Sequence, residues 1–152
     1  DITSILTNPA AYSYCIKKIE EIYGNIRIDA VAAAEARGFL FAAPFCERNG
    51  IPLILIRKQG KLPGETVSKT YELEYGDDTI EIHKSDIPRG GRVLLIDDLI
   101  ATGGTIRAAA DLLSESGAEV IGAFGVVGLP FLDYEGTLSD MDVRTLINYN
   151  TE

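Results

Sequence analysis

The chain has 152 residues, of which 46% are hydrophobic and 24% charged, with six prolines, two cysteines and no tryptophan. That is the size and mixture of one globular domain over residues 1–152 with an apolar core; it excludes a disordered or repeat protein, and no apolar run is long enough to span a bilayer. A net charge of -9 argues against nucleic acid or an anionic membrane as the main partner, and it requires any polyanionic ligand to be met by cations gathered in one place.

The opening residues Asp1-Ile2-Thr3-Ser4 have neither the basic start nor the apolar core of a secretory leader, so a cytoplasmic protein is expected. Asn8-Pro9 predicts a helix start, with Asn8 as cap and Pro9 in the first turn. The helix that follows presents Cys15, Ile16, Ile19, Ile22 and Tyr23 on one face and ends at Gly24. Cys15 and Cys46 both fall in helices among apolar neighbours, which reads as buried free thiols in a reducing compartment.

Asp29 to Ala34 reads as a buried strand that runs into the polar loop Glu35-Ala36-Arg37-Gly38. A helix from Phe39 to Arg48 follows, irregular at Pro44 and stopped by Asn49-Gly50. Leu53 to Ile56 is the next strand, and it releases Arg57, Lys58 and Lys61. Strand, helix and strand form a βαβ unit, so the architecture expected is α/β: a central, mainly parallel sheet flanked by helices.

Gln59 to Lys69 has loop composition, rich in glycine, proline and small polar residues. Beyond it, Tyr71, Leu73 and Tyr75 alternate with Glu72 and Glu74, Gly76-Asp77-Asp78 turns, and Ile80 and Ile82 alternate with Glu81 and His83. This is a β-hairpin signal, and with its approach it forms a flexible arm over about 58–83, a candidate lid. His83, the one histidine, is expected at the surface rather than as a base. No His, Cys and Asp set has zinc spacing, and one histidine in this position supports no Ser-His-Asp triad.

Val93 to Thr105, VLLIDDLIATGGT, carries the densest chemistry. Four apolar residues without alternation predict a central parallel strand, and such a strand delivers Asp97 and Asp98 to the sheet edge where α/β folds bind ligands. Gly103 and Gly104 let the backbone approach a ligand, and the free amides of Ala101 to Thr105, at the start of the next helix, can converge on a phosphate. Thr102 and Thr105 add hydroxyls. The loop lacks the Gly-Lys-Ser/Thr ending of a Walker motif and the three spaced glycines of a dinucleotide motif. Glu35, Arg37, Arg57, Lys58 and Lys61 follow strands that end at the same edge, and Arg37, Arg57, Lys58 and Lys61 are the gathered cations. Ile106, Ala109, Ala110, Leu112 and Leu113 line the helix up to Gly117; strands at Glu119 to Val127 and Val143 to Ile147 complete the reading.

Hydrophobic residues followed by Asp97-Asp98 and the Thr-Gly-Gly-Thr loop resemble the signature with which type I phosphoribosyltransferases hold phosphoribosyl pyrophosphate. The runs Glu35 to Phe39, Arg57 to Gly64 and Tyr71 to Gly76 are similar to those of the family's adenine-using members, over Asp1 to about Leu132. The resemblance implies the type I phosphoribosyltransferase fold and formation of AMP and pyrophosphate from adenine and phosphoribosyl pyrophosphate. It implies that Asp97 and Asp98 hold the ribose hydroxyls, and that Ala101, Thr102, Gly103, Gly104 and Thr105 hold the 5′-phosphate. Glu35, Ala36, Arg37, Arg57, Lys58 and Lys61 take the pyrophosphate by the same token. Glu74 is implied in proton handling at the purine, Tyr75 in positioning the arm, and Leu99 in an apolar wall for the base. Mg²⁺ is implied as a cofactor held by ligand oxygens and water with no direct protein ligand, and a homodimer is implied in which Arg57 reaches the neighbouring site. Family members read the base with a segment that precedes the position of Asp1, so base choice rests on the likeness as a whole. The alternatives are a phosphoribosyltransferase for another purine base and a non-catalytic domain that senses phosphoribosyl pyrophosphate.

Overall fold

Long apolar runs that lack polar alternation can be satisfied only by a sheet covered on both faces, and that is the arrangement in the computed structural model, which describes residues 1–151. The strands are β1 (Ala30–Ala34), β2 (Leu53–Lys58), β3 (Thr66–Glu72), β4 (Asp77–His83), β5 (Arg92–Ile100), β6 (Glu119–Gly128) and β7 (Val143–Asn148). They form one seven-stranded sheet in the order β3-β4-β2-β1-β5-β6-β7. The five strands from β2 to β7 in that order pair in parallel, and β3 and β4 add an antiparallel hairpin to the β2 edge. The helices are α1 (Thr3–Leu6), α2 (Pro9–Tyr23), α3 (Gly38–Asn49), α4 (Gly104–Glu115) and α5 (Tyr134–Thr137).

Two cores lie on the two faces. On one, Ile54, Ile56, Ile82, Val93 and Leu95 of the sheet meet Ile106, Leu112 and Leu113 of α4. On the other, Val31, Ala33, Leu94, Ile96, Phe124 and Val126 meet Ile16, Ile19 and Tyr23 of α2 and Phe41 and Phe45 of α3. β1 reads Ala-Val-Ala-Ala-Ala and is buried throughout; its small side chains let α3 approach the centre of the sheet closely.

Local sequence signals account for the helix ends. The Asn8 side chain accepts hydrogen bonds from the amides of Ala10 and Ala11, with Pro9 in the first turn. Gly50 adopts a left-handed conformation at the end of α3 (φ 63°). Pro44 sits inside α3, which continues through it. Both cysteines are buried and free, and burial pushes the Cys46 thiol up to about 12, far from a reactive thiolate.

Two boundaries depart from the sequence reading. The first arm strand lies earlier than expected: Thr66 to Glu72, taken in part as loop, is the strand, and Leu73 to Gly76 form the turn. Pairing decides this, because Thr66 faces His83 and Glu72 faces Asp77, which leaves Leu73, Glu74 and Tyr75 outside the ladder. Second, β5 continues through both aspartates to Ile100, paired with Val127 and Gly128 of β6, so the acids lie within the last turn of the ladder rather than beyond it.

Phe41, fully buried and edge-on to Tyr12 at 5.6 Å between ring centres, tests the α3-facing core. Phe41→Ala is expected to cost about 3–5 kcal/mol, read as a fall in the urea unfolding midpoint with little change in slope.

Candidate active site

Parallel register sets the site. Ala33 pairs with Ile96 and Ala34 with Ile56, so β2, β1 and β5 end side by side and present Arg57, Glu35 and Asp97 along one edge.

Asp98 is 5% exposed, and its carboxyl faces Arg37, whose Nε lies 2.9 Å from Oδ2. The pair is close but misaligned for a hydrogen bond, so among the described residues the buried Oδ2 has no donor. Charge attraction holds this contact, and Oδ2, covered by Arg37, keeps its hydrogen-bonding capacity unused. Asp97 Oδ1 accepts the Asp98 amide at 2.8 Å. The start of α3 closes against it: a Cβ on Gly38 would stand 3.1 Å from Asp97 Oδ1, so the close approach needs glycine. Protein atoms crowd the Asp97 carboxyl although the residue keeps some solvent contact; burial first, then the hydrogen bond and charge of Asp98, push its pKa up to about 8.

After Ile100 the chain bends through Ala101, Thr102 and Gly103 into α4. Gly103 takes a left-handed conformation (φ 83°), and Leu138 and Tyr134 press on its Cα side from α5 and the residue after it. The Gly104 amide reaches Thr102 Oγ1 at 3.4 Å. Asp97, Leu99, Ala101, Thr102, Gly103, Gly104 and Thr105 line a cavity of about 90 Å³ at the head of α4. Amides, hydroxyls and the positive helix end face one space there, the chemistry of an anion cradle.

The gathered cations are found where expected, each held by a carboxylate. Glu35 Oε1 accepts the Lys58 amide; Arg57 Nε lies 3.6 Å and Lys61 Nζ 4.0 Å from the same carboxylate. At that distance Arg57 Nε makes no hydrogen bond, so the pairing is loose. Lys58 Nζ sits 2.7 Å from Asp78 Oδ2 and holds the Asp78 carboxyl below the usual carboxylate range. Ala36 lies in the turn between β1 and α3, joined to Glu35 by a cis peptide bond.

Glu74 and Tyr75 occupy the arm's turn, with Tyr75 88% exposed. With Glu72 and Leu73 they form one wall of an open cleft of about 520 Å³ whose other wall is Thr102, Gly104 and Thr105, so the arm tip stands across from the anion cradle. A further cavity of about 330 Å³ adjoins the acid pair; Arg37 and Asp98 meet Ile2, Ile5, Leu99, Val127, Leu129 and Tyr149 there. Leu99 lines both this cavity and the cradle. Gly38, against Asp97, and Tyr71 and Asp78, in the lining of a cavity beside Glu35, Arg57 and Thr105, are brought to the candidate site and were not assigned to it from the sequence. Their signals are weak: a glycine after Arg37, a tyrosine in an alternating strand and an acid after a turn. Among the described residues no group of three or more His, Cys, Asp and Glu is placed to hold a metal. No helix among them is long and apolar enough to cross a membrane.

Residues 1–130 match the family model described as phosphoribosyl transferase domain. The chain belongs to that family. It is 60% identical to the adenine phosphoribosyltransferase of Treponema denticola, over all of this chain and 80% of that protein. The crystal structure of adenine phosphoribosyltransferase from Thermoanaerobacter pseudethanolicus superposes with a TM-score of 0.94 at 44% identity, over 98% of this chain and 87% of the other. The Saccharomyces cerevisiae enzyme, solved with an imino-altritol bisphosphate and adenine, gives a TM-score of 0.89 at 38% identity, over 96% and 85% of the two chains. The single α/β domain with its mostly parallel sheet is that of these phosphoribosyltransferases.

The raised Asp97 value predicts how the fold responds to pH. In the unfolded chain Asp97 ionises near 3.8, in the fold near 8; folding therefore favours its protonated form, and stability from this group is lost as pH rises through that window. The Asp97→Asn variant keeps the shape without the ionisation. Its melting temperature is expected to gain on the parent's steadily from pH 5 to pH 8 and to level off above; a constant difference across the range contradicts the burial.

Proposed function

We propose that the chain is an adenine phosphoribosyltransferase, forming AMP and pyrophosphate from adenine and phosphoribosyl pyrophosphate in purine salvage. The observation that carries this is the juxtaposition of the acid pair Asp97-Asp98, in which Oδ2 of Asp98 accepts no hydrogen bond, and an anion cradle at the head of α4, in a chain 60% identical to an enzyme of that name. A ribose 5-phosphate has hydroxyls for the first and a dianion for the second.

In this reading the Asp98 and Asp97 carboxylates accept the ribose 2′ and 3′ hydroxyls, and the amides of Ala101 to Thr105 with the Thr102 and Thr105 hydroxyls hold the 5′-phosphate. Arg37, Arg57, Lys58 and Lys61, with the Glu35–Ala36 turn, receive the pyrophosphate; each cation exchanges a carboxylate for a phosphate oxygen. Purine N9 forms a bond to the anomeric carbon as the bond to the pyrophosphate oxygen breaks, and that oxygen keeps the electron pair. Positive charge on the sugar is greatest between these events, so the site must orient both groups and keep water out. Glu74, on the arm tip opposite the cradle, takes the proton that the purine loses, and Tyr75 beside it closes the arm over the reacting centre.

Adenine is assigned to the 330 Å³ cavity beside Asp98. Its volume falls in the range of small-molecule sites, roughly 300–1,000 Å³, and Leu99, Val127 and Leu129 offer flat apolar walls. Mg²⁺ fits this donor set as an ion carried by the ligand: the edge offers hard carboxylate oxygens and, among the described residues, no group of three or more ligands, which suits an ion that keeps its waters. When bound it neutralises pyrophosphate charge. Leu55 and Leu40 stand 37% and 40% exposed although β2 is an interior strand of the sheet. We assign these exposed leucines to contact with a second copy of the chain, and in the same proposal Arg57 of β2 reaches toward the partner's site. Free buried thiols suit a reducing compartment, which supports a cytoplasmic reaction in this reading.

AMP formation from adenine, phosphoribosyl pyrophosphate and Mg²⁺ tests the reading, with hypoxanthine and xanthine as competing bases. Ligand binding without turnover with any base would turn it into a sensing domain, and turnover of another base alone would change the substrate. Asp98→Asn is expected to raise KM for phosphoribosyl pyrophosphate by about tenfold or more while the fold stays intact. Glu74→Gln is expected to lower kcat by roughly a hundredfold with far less effect on phosphoribosyl pyrophosphate binding, and near-normal turnover removes Glu74 from proton transfer.

A further inference from the structure

The arm does more than carry Glu74 and Tyr75. Its strand β3 lies along α4, with Lys69 ion-paired to Glu115 at one end of the helix and Tyr71 docked at the other. The Tyr71 hydroxyl is 3.2 Å from Thr105 Oγ1, and a Cβ on Gly104 would touch the Tyr71 ring at 3.9 Å. On its other side Tyr71 pairs directly across the hairpin with Asp78, whose carboxylate is taken by Lys58 at 2.7 Å. Tyr71, Thr105, Lys58, Asp78, Arg57 and Glu35 share the lining of one cavity of about 110 Å³ between the cradle and the cation cluster.

We propose that Tyr71 is a positioning residue for the 5′-phosphate: its hydroxyl fixes the orientation of the Thr105 hydroxyl and locks the arm to the cradle. This rests on the phosphoribosyltransferase reading of that site. The Asp78 carboxylate also faces the Tyr71 hydroxyl, but its two oxygens already accept from Lys58 Nζ and the Thr79 amide. In the proposal the Tyr71 proton therefore goes to Thr105 Oγ1, 3.2 Å away. That oxygen has then received its hydrogen bond, and its own O–H is turned to the open side of the loop, toward the anion. Both hydroxyls are partly buried, so water competes weakly for either. Without the Tyr71 hydroxyl, the Thr105 proton is free to rotate toward other acceptors, and the bound phosphate loses a pre-oriented donor.

Tyr71→Phe removes the hydroxyl and keeps the ring against Gly104. Its affinity for ribose 5-phosphate, read by calorimetry, and its KM for phosphoribosyl pyrophosphate are expected to weaken about fivefold to tenfold, the range of one hydrogen bond. The kcat stays within about twofold, KM for adenine is unchanged and the melting temperature holds, a split that a loss of packing would not give. In a Thr105→Val background the further change Tyr71→Phe is expected to have no effect, because the partner it orients is gone. Wild-type affinity and KM in Tyr71→Phe, or an undiminished loss in the Thr105→Val background, overturns the proposal. If the parent protein binds ribose 5-phosphate but forms no AMP, the proposed reaction fails, and the calorimetric comparison still decides Tyr71.

Discussion

The parallel register of β2, β1 and β5 is the constraint on which the site depends. Each strand delivers a polar loop, and only a common direction brings the three loops to one edge. Small residues in β1 allow α3 to press close, and Gly38 lets its first turn reach Asp97 without a Cβ in the way. A one-residue slip of β5 would turn Asp98 to the opposite face and away from Arg37. The two cores that hold the register, one under α4 and one under α2 and α3, are therefore part of the site's geometry.

Electrostatics adds a second layer. In the proposed reaction a chain of net charge -9 meets a polyanion, which requires cations that are not neutralised permanently, and the pairings at this edge are loose or exposed. Arg37 is misaligned on Asp98, Arg57 and Lys61 sit at the outer limit of contact with Glu35, and Lys58 is more than half exposed beside Asp78. Lys58 and Lys61 are more than half exposed, and ion pairs at exposed ends of this kind contribute little to stability, about 0–1 kcal/mol, so in the proposed reaction they exchange a carboxylate for a phosphate oxygen at little cost. The Asp97-Asp98 pair works in the other direction. Burial, with the neighbouring Asp98, pushes the Asp97 carboxyl toward its protonated form. The arm joins both systems, since its two strands carry Tyr71 to the cradle and Asp78 to Lys58.

Much of this was legible in the order of residues along the chain. Asn8-Pro9, the Asn49-Gly50 stop, the run from Val93 to Ile96 and the Thr-Gly-Gly-Thr loop each have a local physical meaning, and each element stands where that meaning puts it. Continuous apolar strands alternating with amphipathic helices leave a parallel sheet as the architecture, and in such a sheet polar strand ends share an edge. Acid pair, cradle and cation cluster are therefore determined by sequence alone. Pairings between distant segments are not, because the same alternation fits more than one register. The arm strand begins at Thr66 and its turn falls at Leu73 to Gly76 only because Thr66 faces His83; β5 runs through Ile100 only because Val127 and Gly128 pair with its end. Which carboxylate holds which cation, the contact of Gly38 with Asp97 and the docking of Tyr71 on Thr105 were decided by tertiary structure. They join residues up to 61 positions apart, and no local preference of the chain specifies a contact made across that distance.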